Sequence, residues 1–185
     1  MELPFNGIAR GMARMPRYKE TRDLAAEDAA YIAGLVDGEG TITLSKRHAK
    51  DRRQLVVSIA NTERPLLDFV LHRVGAGKIT RKRTAARHHT ASYCYSISNR
   101  QALSLVVQLQ SYLRSHKRDR AGLILSTYLQ VTPRNGKYTP VMEQRRLEFE
   151  QRFFAITSTR AASAATETSP SISPAATPRR PPLRS

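Results

Sequence analysis

Apolar residues recur at helical spacing in the first patterned stretch, residues 25–38, AAEDAAYIAGLVDG. Glu27 and Asp28 fall in its first turn, where carboxylates complement the helix dipole. The period then changes. In TITLSKR, Ile42 and Leu44 alternate with Thr41, Thr43, Ser45 and Arg47, which predicts a half-buried strand. RQLVVSI alternates likewise, with Leu55, Val57 and Ile59 on one face. Asn61 or Thr62 is expected to cap a second helix running to Val74, with Pro65 tolerated in its first turn and Gly75 stopping it. GKITRKR and SYCYSI predict a second strand pair joined by the polar stretch TAARHHTA. Asn99 is expected to cap a helix through Leu113, and a further helix is expected over residues 117–131. TPRNGKY reads as a turn, and Thr139 followed by Pro140 opens a last helix ending near Ile156.

Helix, two strands, helix, two strands and further helices make an α+β domain, expected over residues 25–157. No second copy of the opening helix pattern follows it. Residues 1–24 read as an irregular basic arm, broken by Pro4, Gly7, Gly11 and Pro16. Residues 158–185 are rich in Ala, Ser, Thr and Pro. They hold too little apolar surface to offset their ordering entropy, which predicts a disordered tail.

Charge narrows the partners. Lys and Arg number 31 against 15 Asp and Glu, a formal charge of +16 in 185 residues. That excess points to a polyanion, nucleic acid first. The single cysteine, Cys94, excludes a disulfide framework and a cysteine-based zinc site. His48, His72, His88, His89 and His116 lack the spacing of a zinc site or a histidine nuclease motif. No apolar run has the length of a membrane span. The first twenty residues lack the apolar core of a secretory signal, and Glu2, Glu20 and Asp23 argue against a transit peptide.

The opening helix is unusual in its glycines. Gly34 and Gly38 are four apart, so they share a face, and Ala30 and Ala33 keep that region flat. An interior glycine costs about 1 kcal/mol relative to alanine. Two of them in one helix are explained if another helix packs closely there. The helix then ends in two acids, Asp37 and Glu39. Two such helix ends side by side would bring acids together, and hard divalent cations with oxygen ligands would relieve the repulsion. Phosphodiester hydrolysis beside a basic surface is chemistry that fits.

Residues 32–40, IAGLVDGEG, resemble the signature of the LAGLIDADG homing endonucleases, single-motif type. The resemblance implies an αββαββα fold with a curved antiparallel four-stranded DNA-binding sheet backed by helices. It makes Glu39 the metal-binding catalytic carboxylate and Gly38 a main-chain metal ligand, with Asp37 a secondary acid. It places Asn61, at the end of IANT, where a polar side chain organises active-site water. LRSHKRDRAGLIL is similar to the family's Lys-x-x-Gln stretch, which makes Lys117 the basic residue near the scissile phosphate. Arg120 stands where glutamine is usual, so Arg118 and Arg114 are alternative phosphate contacts. With one motif per chain, the resemblance implies a homodimer meeting through Ala30, Ala33, Gly34, Leu35 and Gly38.

On such a sheet the outward phase would face DNA: Thr41, Thr43, Ser45 and Arg47; Arg52, Gln54, Val56 and Ser58; Lys78, Thr80 and Lys82; Ser92, Cys94 and Ser96. Arg and Lys favour guanine, and Gln favours adenine. Lys50, Arg53, Arg83 and Arg87 would contact phosphates. The resemblance thus implies a site-specific, Mg2+-dependent endonuclease, with Mn2+ as a substitute. It would make double-strand breaks with short 3′ overhangs at a pseudo-palindromic site. The setting would be a bacterial cytoplasm or an organelle matrix. Two alternatives share the fold: an intron-RNA-binding maturase, and a DNA-binding regulator that has lost catalysis.

Overall fold

The computed structural model describes residues 20–82, 90–134 and 136–158. The arm through residue 19, the expected phosphate contacts Arg83 and Arg87, and the tail from residue 159 lie outside the described residues. The elements run α1 (Ala26–Glu39), β1 (Gly40–Ser45), β2 (Gln54–Asn61), α2 (Arg64–Val74), β3 (Lys78–Arg81), β4 (Tyr93–Ser98), α3 (Asn99–Leu109), α4 (Lys117–Thr127) and α5 (Pro140–Ala155). The four strands form one antiparallel sheet in the order β1-β2-β4-β3.

The alternation read from the sequence is the alternation observed. Ile42, Leu44, Leu55, Val57, Ile59, Tyr95 and Ile97 are buried on one face of the sheet. Helical stripes at spacings of three and four cover them: Ala29, Ile32, Ala33 and Val36 from α1, Leu67, Val70 and Val74 from α2, and Ala102, Leu105, Val106 and Leu109 from α3. Each large aliphatic side chain buried here contributes about 1.5–3 kcal/mol, which makes this interface the source of the fold's stability. α1 is tied to α2 by the pair Asp28–Arg73, 3.4 Å, and by edge-on packing of Tyr31 on Phe69.

Several expected boundaries move. The helix cap of α2 is Glu63, which makes no side-chain cap bond. Asn61 instead belongs to β2, and its Oδ1 accepts from the Glu63 N–H at 2.8 Å, a local turn that competes with capping. Gly75 ends α2 as expected, in the left-handed conformation that glycine adopts without Cβ strain, φ 74°. Ser98, not Asn99, is the cap residue of α3, which ends at Leu109. Its neighbour Gln110 keeps helical angles, but the chain then turns through Tyr112 rather than continuing to Leu113. α4 stops at Thr127, short of residue 131.

Ahead of α1, residues 21–24 form a strap. The Arg22 N–H donates to Val74 O, its guanidinium to His72 O, and Gln108 links Leu24 N–H with Arg22 O. The chain divides into two compact units between Ser126 and Thr127. The second holds α5, which starts as expected, with Thr139 Oγ1 accepting from Met142 N–H. Its interior gathers Tyr128, Phe149 and Phe153. There the buried Arg146 is satisfied by Glu150, Tyr138 and Val131 O. Among the described residues, no helix is long and apolar enough to cross a membrane.

Candidate active site and open sheet face

α1 delivers its last residue, Glu39, directly to the first residue of β1. No loop intervenes, and Gly40 makes that junction possible. A Cβ at Gly40 would lie 2.6 Å from Val36 Cα, 2.8 Å from Val36 O and 3.0 Å from Ser58 O, all backbone atoms. Helix and strand can therefore meet this tightly only at glycine. Glu39 is exposed, and among the described residues no hydrogen bond or ion pair engages its carboxylate.

Asp37 has the opposite surroundings. Its Oδ2 accepts from the Arg114 N–H and its Oδ1 from the Ser115 hydroxyl, both at 2.6 Å. Burial alone would raise its pKa. The bonds from Ser115 and Arg114, helped by the Lys117 charge, outweigh burial and hold the carboxyl below its ordinary value. Asp37 thus fastens the α3–α4 connection to the end of α1.

Lys117, the first residue of α4, completes that latch. It is buried, and its Nζ donates to Val36 O and Asp37 O, both at 2.8 Å. The last carbonyls of a helix lack partners within it and carry partial negative charge. An ammonium there satisfies both demands. Burial lowers the Lys117 pKa, opposed by Asp37 and, more weakly, by Glu39. The structure therefore places Lys117 against the main chain of α1 instead of leaving it in a solvated basic run. The His116 pKa is likewise lowered, by burial and then by the cations Arg120 and Lys117, against the opposing pull of Asp37 and Asp119. Arg120, half-buried, sends Nη1 to Ile42 O at 3.2 Å and so braces β1 from α4. Arg118 and Arg114 are exposed.

The sequence reading grouped Ala33 with the flat face of α1. The structure corrects this: Ala33 is fully buried in the inward stripe, four residues after Ala29 and three before Val36, both buried. Ala30, Gly34 and Gly38, at strict spacing of four, form the exposed strip, with Leu35 half-buried and Tyr31 exposed beside it. A Cβ at Gly34 or Gly38 would meet nothing within 4 Å.

The other sheet face is polar and lies away from the stripes of α1, α2 and α3. Register aligns Thr41, Ser58, Ser96 and Lys78 in one row across all four strands, with Thr43, Val56 and Ser98 in the next. Ala60, Cys94 and Thr80 make a third. Ser45 opposite Gln54 closes the β1–β2 end, near which Arg47, Lys50 and Arg52 are exposed. Arg53 is turned partly inward, with Nη1 3.4 Å from Leu44 O. Lys82 and Ser92 are linked main chain to main chain beyond β3.

Asn61 is not part of this face. It has the phase of Ile59, paired with Tyr93, and its carbonyl is turned to Glu63. Strand alternation gives the open positions at that end to Ser58 and Ala60. Sequence reasoning missed Ser115 and the Arg114 main chain, since nothing local marks a loop as the partner of a distant helix end. It also missed Ser98 and Gln101, which join Gln54 and Lys78 around a cavity of about 400 Å3 on the open face.

A metal at the helix end would have to use few protein ligands. Among the described residues, no three His, Cys, Asp or Glu side chains gather into a metal site. The donors that the end of α1 offers are the Glu39 carboxylate and main-chain oxygen, a hard set suited to Mg2+ or Ca2+ and not to softer ions.

Residues 26–117 match the family described as the LAGLIDADG-like domain. No curated protein matches the chain. Among solved structures it is similar to the homing endonuclease I-CvuI in complex with its target in the presence of Ca, with 18% identity, 71% of this chain and 83% of that chain covered, and a TM-score of 0.58. It is similar to the homing endonuclease I-TnaI, with 19% identity, 79% and 99% covered, and a TM-score of 0.53. The LAGLIDADG meganuclease I-AabMI bound to uncleaved DNA is 21% identical over 74% of this chain and 48% of that chain, with a TM-score of 0.53. At these identities the likeness is one of fold.

Proposed function

Since this chain belongs to the LAGLIDADG family through residues 26–117, we propose that it is a site-specific endonuclease that cuts double-stranded DNA as a homodimer with a divalent metal. The observation that carries the reading is the end of α1. There an exposed, unengaged Glu39 stands beside an open strip of Ala30, Gly34 and Gly38, at the start of a polar sheet face. Among the described residues one chain gathers no set of three metal-ligating side chains, and a second copy packed on the strip would bring its own Glu39. The fold neighbour I-CvuI was solved on its DNA target with Ca, which supports the same partner and ion class here.

Glu39 and the Gly38 main-chain carbonyl would hold Mg2+, with Mn2+ able to replace it. The ion, when bound, supplies charge neutralisation and an acidified water. The chain's own contribution is placement. Gly40 fixes the distance from helix to strand, Asp37 with Ser115 and Lys117 fixes the helix end, and the sheet rows hold DNA in register. Thr41, Thr43, Ser45, Gln54, Ser58, Lys78, Thr80 and Ser96 are the base-facing set, and Arg47, Lys50, Arg52, Lys82 and Arg118 the phosphate-facing one. Lys117 acts on this reading by securing the helix end that carries Glu39. A two-fold dimer requires a pseudo-palindromic target and gives a double-strand break with short 3′ overhangs.

The test is selection of cut sequences from a randomised duplex library with Mg2+, wild type against Glu39→Gln. One recovered pseudo-palindrome, cut by wild type and only bound by the variant, is expected. Equal cutting by both proteins sinks the proposal.

A further inference from the structure

Asn99 is the one described residue other than glycine with a positive φ, 55°. It sits where β4 passes into α3 without a loop, Ser98 closing the strand and Asn99 opening the helix. A left-handed residue there turns the chain sharply, and asparagine tolerates that conformation better than most side chains. Glycine would tolerate it at least as well, so backbone geometry alone does not call for the side chain. What the side chain does is reach β2: Asn99 Nδ2 donates to Gln54 Oε1 at 2.9 Å.

Gln54 lies on the wall of the 400 Å3 cavity of the open face, together with Arg47, Lys78, Ser96, Ser98 and Gln101. Unassisted, a glutamine amide can present either its oxygen or its NH2 group outward, and a bidentate pair with adenine uses both. Here one end is engaged. We propose that Asn99 is a positioning residue for base readout: it holds the Gln54 oxygen inward, so that Gln54 offers NH2 hydrogens to the groove and selects a base edge made of acceptors, guanine N7 and O6. The proposal rests on the DNA-binding reading above, and it replaces the adenine preference that glutamine carries by default.

The experiment measures base preference at every position of a randomised duplex library, retained by the full chain in Ca2+ without cutting. Wild type is compared with Gln54→Leu, Asn99→Gly, Asn99→Asp and the double variant Gln54→Leu/Asn99→Gly. Wild type should prefer guanine about tenfold at one position per half-site, and Gln54→Leu should flatten that position alone. Asn99→Gly keeps the backbone relaxed and should admit adenine at the same position. Asn99→Asp can only accept, so Gln54 must donate inward and show its oxygen; preference should pass to cytosine, whose N4 is a donor. The double variant should equal Gln54→Leu. An unchanged profile in both Asn99 variants, a change at a position that Gln54→Leu leaves alone, or additive losses in the double variant would overturn the proposal. A merely structural Asn99 would weaken retention evenly across positions and leave the base order intact, which also overturns it. If wild type shows no selection at any position, the DNA-binding reading itself fails. Selection elsewhere with indifference at the Gln54 position defeats this proposal alone.

Discussion

Asp37 and Glu39 stand two residues apart at the end of α1, about 200° around the helix from each other, and that rotation separates their chemistry. Asp37 turns toward the α3–α4 connection, accepts two bonds of 2.6 Å and lies over Lys117. Glu39 is exposed, and among the described residues no hydrogen bond or ion pair holds its carboxylate. A carboxylate that is already satisfied gains little from a metal, whereas an exposed one is available to it. The first acid therefore holds the helix end in place, and the second is the one that the proposed function assigns to the metal.

The largest expected effect tests that division on the Glu39 side. Glu39→Gln should lower Mg2+-dependent cutting by about 10³-fold, on the order of 4 kcal/mol in the barrier, with DNA retention and melting temperature unchanged. Loss of melting temperature in place of activity would make Glu39 a structural acid and erase the contrast. Gly40→Ala should come next. The new methyl meets backbone atoms at 2.6–3.0 Å, and overpacking of that kind costs about 3 kcal/mol, read by urea unfolding.

Asp37→Ala should cost about 2 kcal/mol, since it removes the acceptor of two charge-assisted bonds and the carboxylate that most favours the Lys117 charge. Because the folded Asp37 carboxyl lies below its ordinary value of 3.8, its contribution is complete above about pH 4 and is lost as pH falls through the lower folded value. Acid melting profiles should therefore show wild type and Asp37→Ala converging below pH 3.8. A constant gap between them would mean that the latch does not titrate. The smallest effect concerns the open strip. Gly34→Ala adds a methyl with no neighbour within 4 Å, so the isolated chain should gain about 1 kcal/mol from helix propensity. Self-association, read by sedimentation, should weaken. A variant that both melts higher and associates more tightly would remove the strip from the interface.

Much of the framework was legible along the chain. Period-two stretches marked β1, β2 and β4, because one sheet face packs on helices and the other does not; β3, with Ile79 alone half-buried, carries little of that pattern. The IAGLVDGEG run marked the helix end and both acids. Less legible were the starts of α2 and α3, where Asn61 and Asn99 look like caps. Asparagine serves caps, turns and left-handed positions through the same short side chain, and only the path of the surrounding backbone selects among them. Ala33 was misplaced for a similar reason, since spacings of three and four both count as one helix face until a neighbouring sheet divides them.

By itself the sequence determined the periodicity, and with it the α+β class, the buried phase of β1, β2 and β4, the basic character and the acids at the end of α1. These depend on interactions between residues a few positions apart, or on sums over the whole chain. Only the tertiary structure decided that Lys117 lies 2.8 Å from carbonyls 80 and 81 positions earlier, that Ser115 occupies Asp37, and that Asn99 donates to Gln54 across 45 residues. Such contacts arise when packed helices and paired strands bring distant segments together, and no local pattern encodes which donor will reach which acceptor.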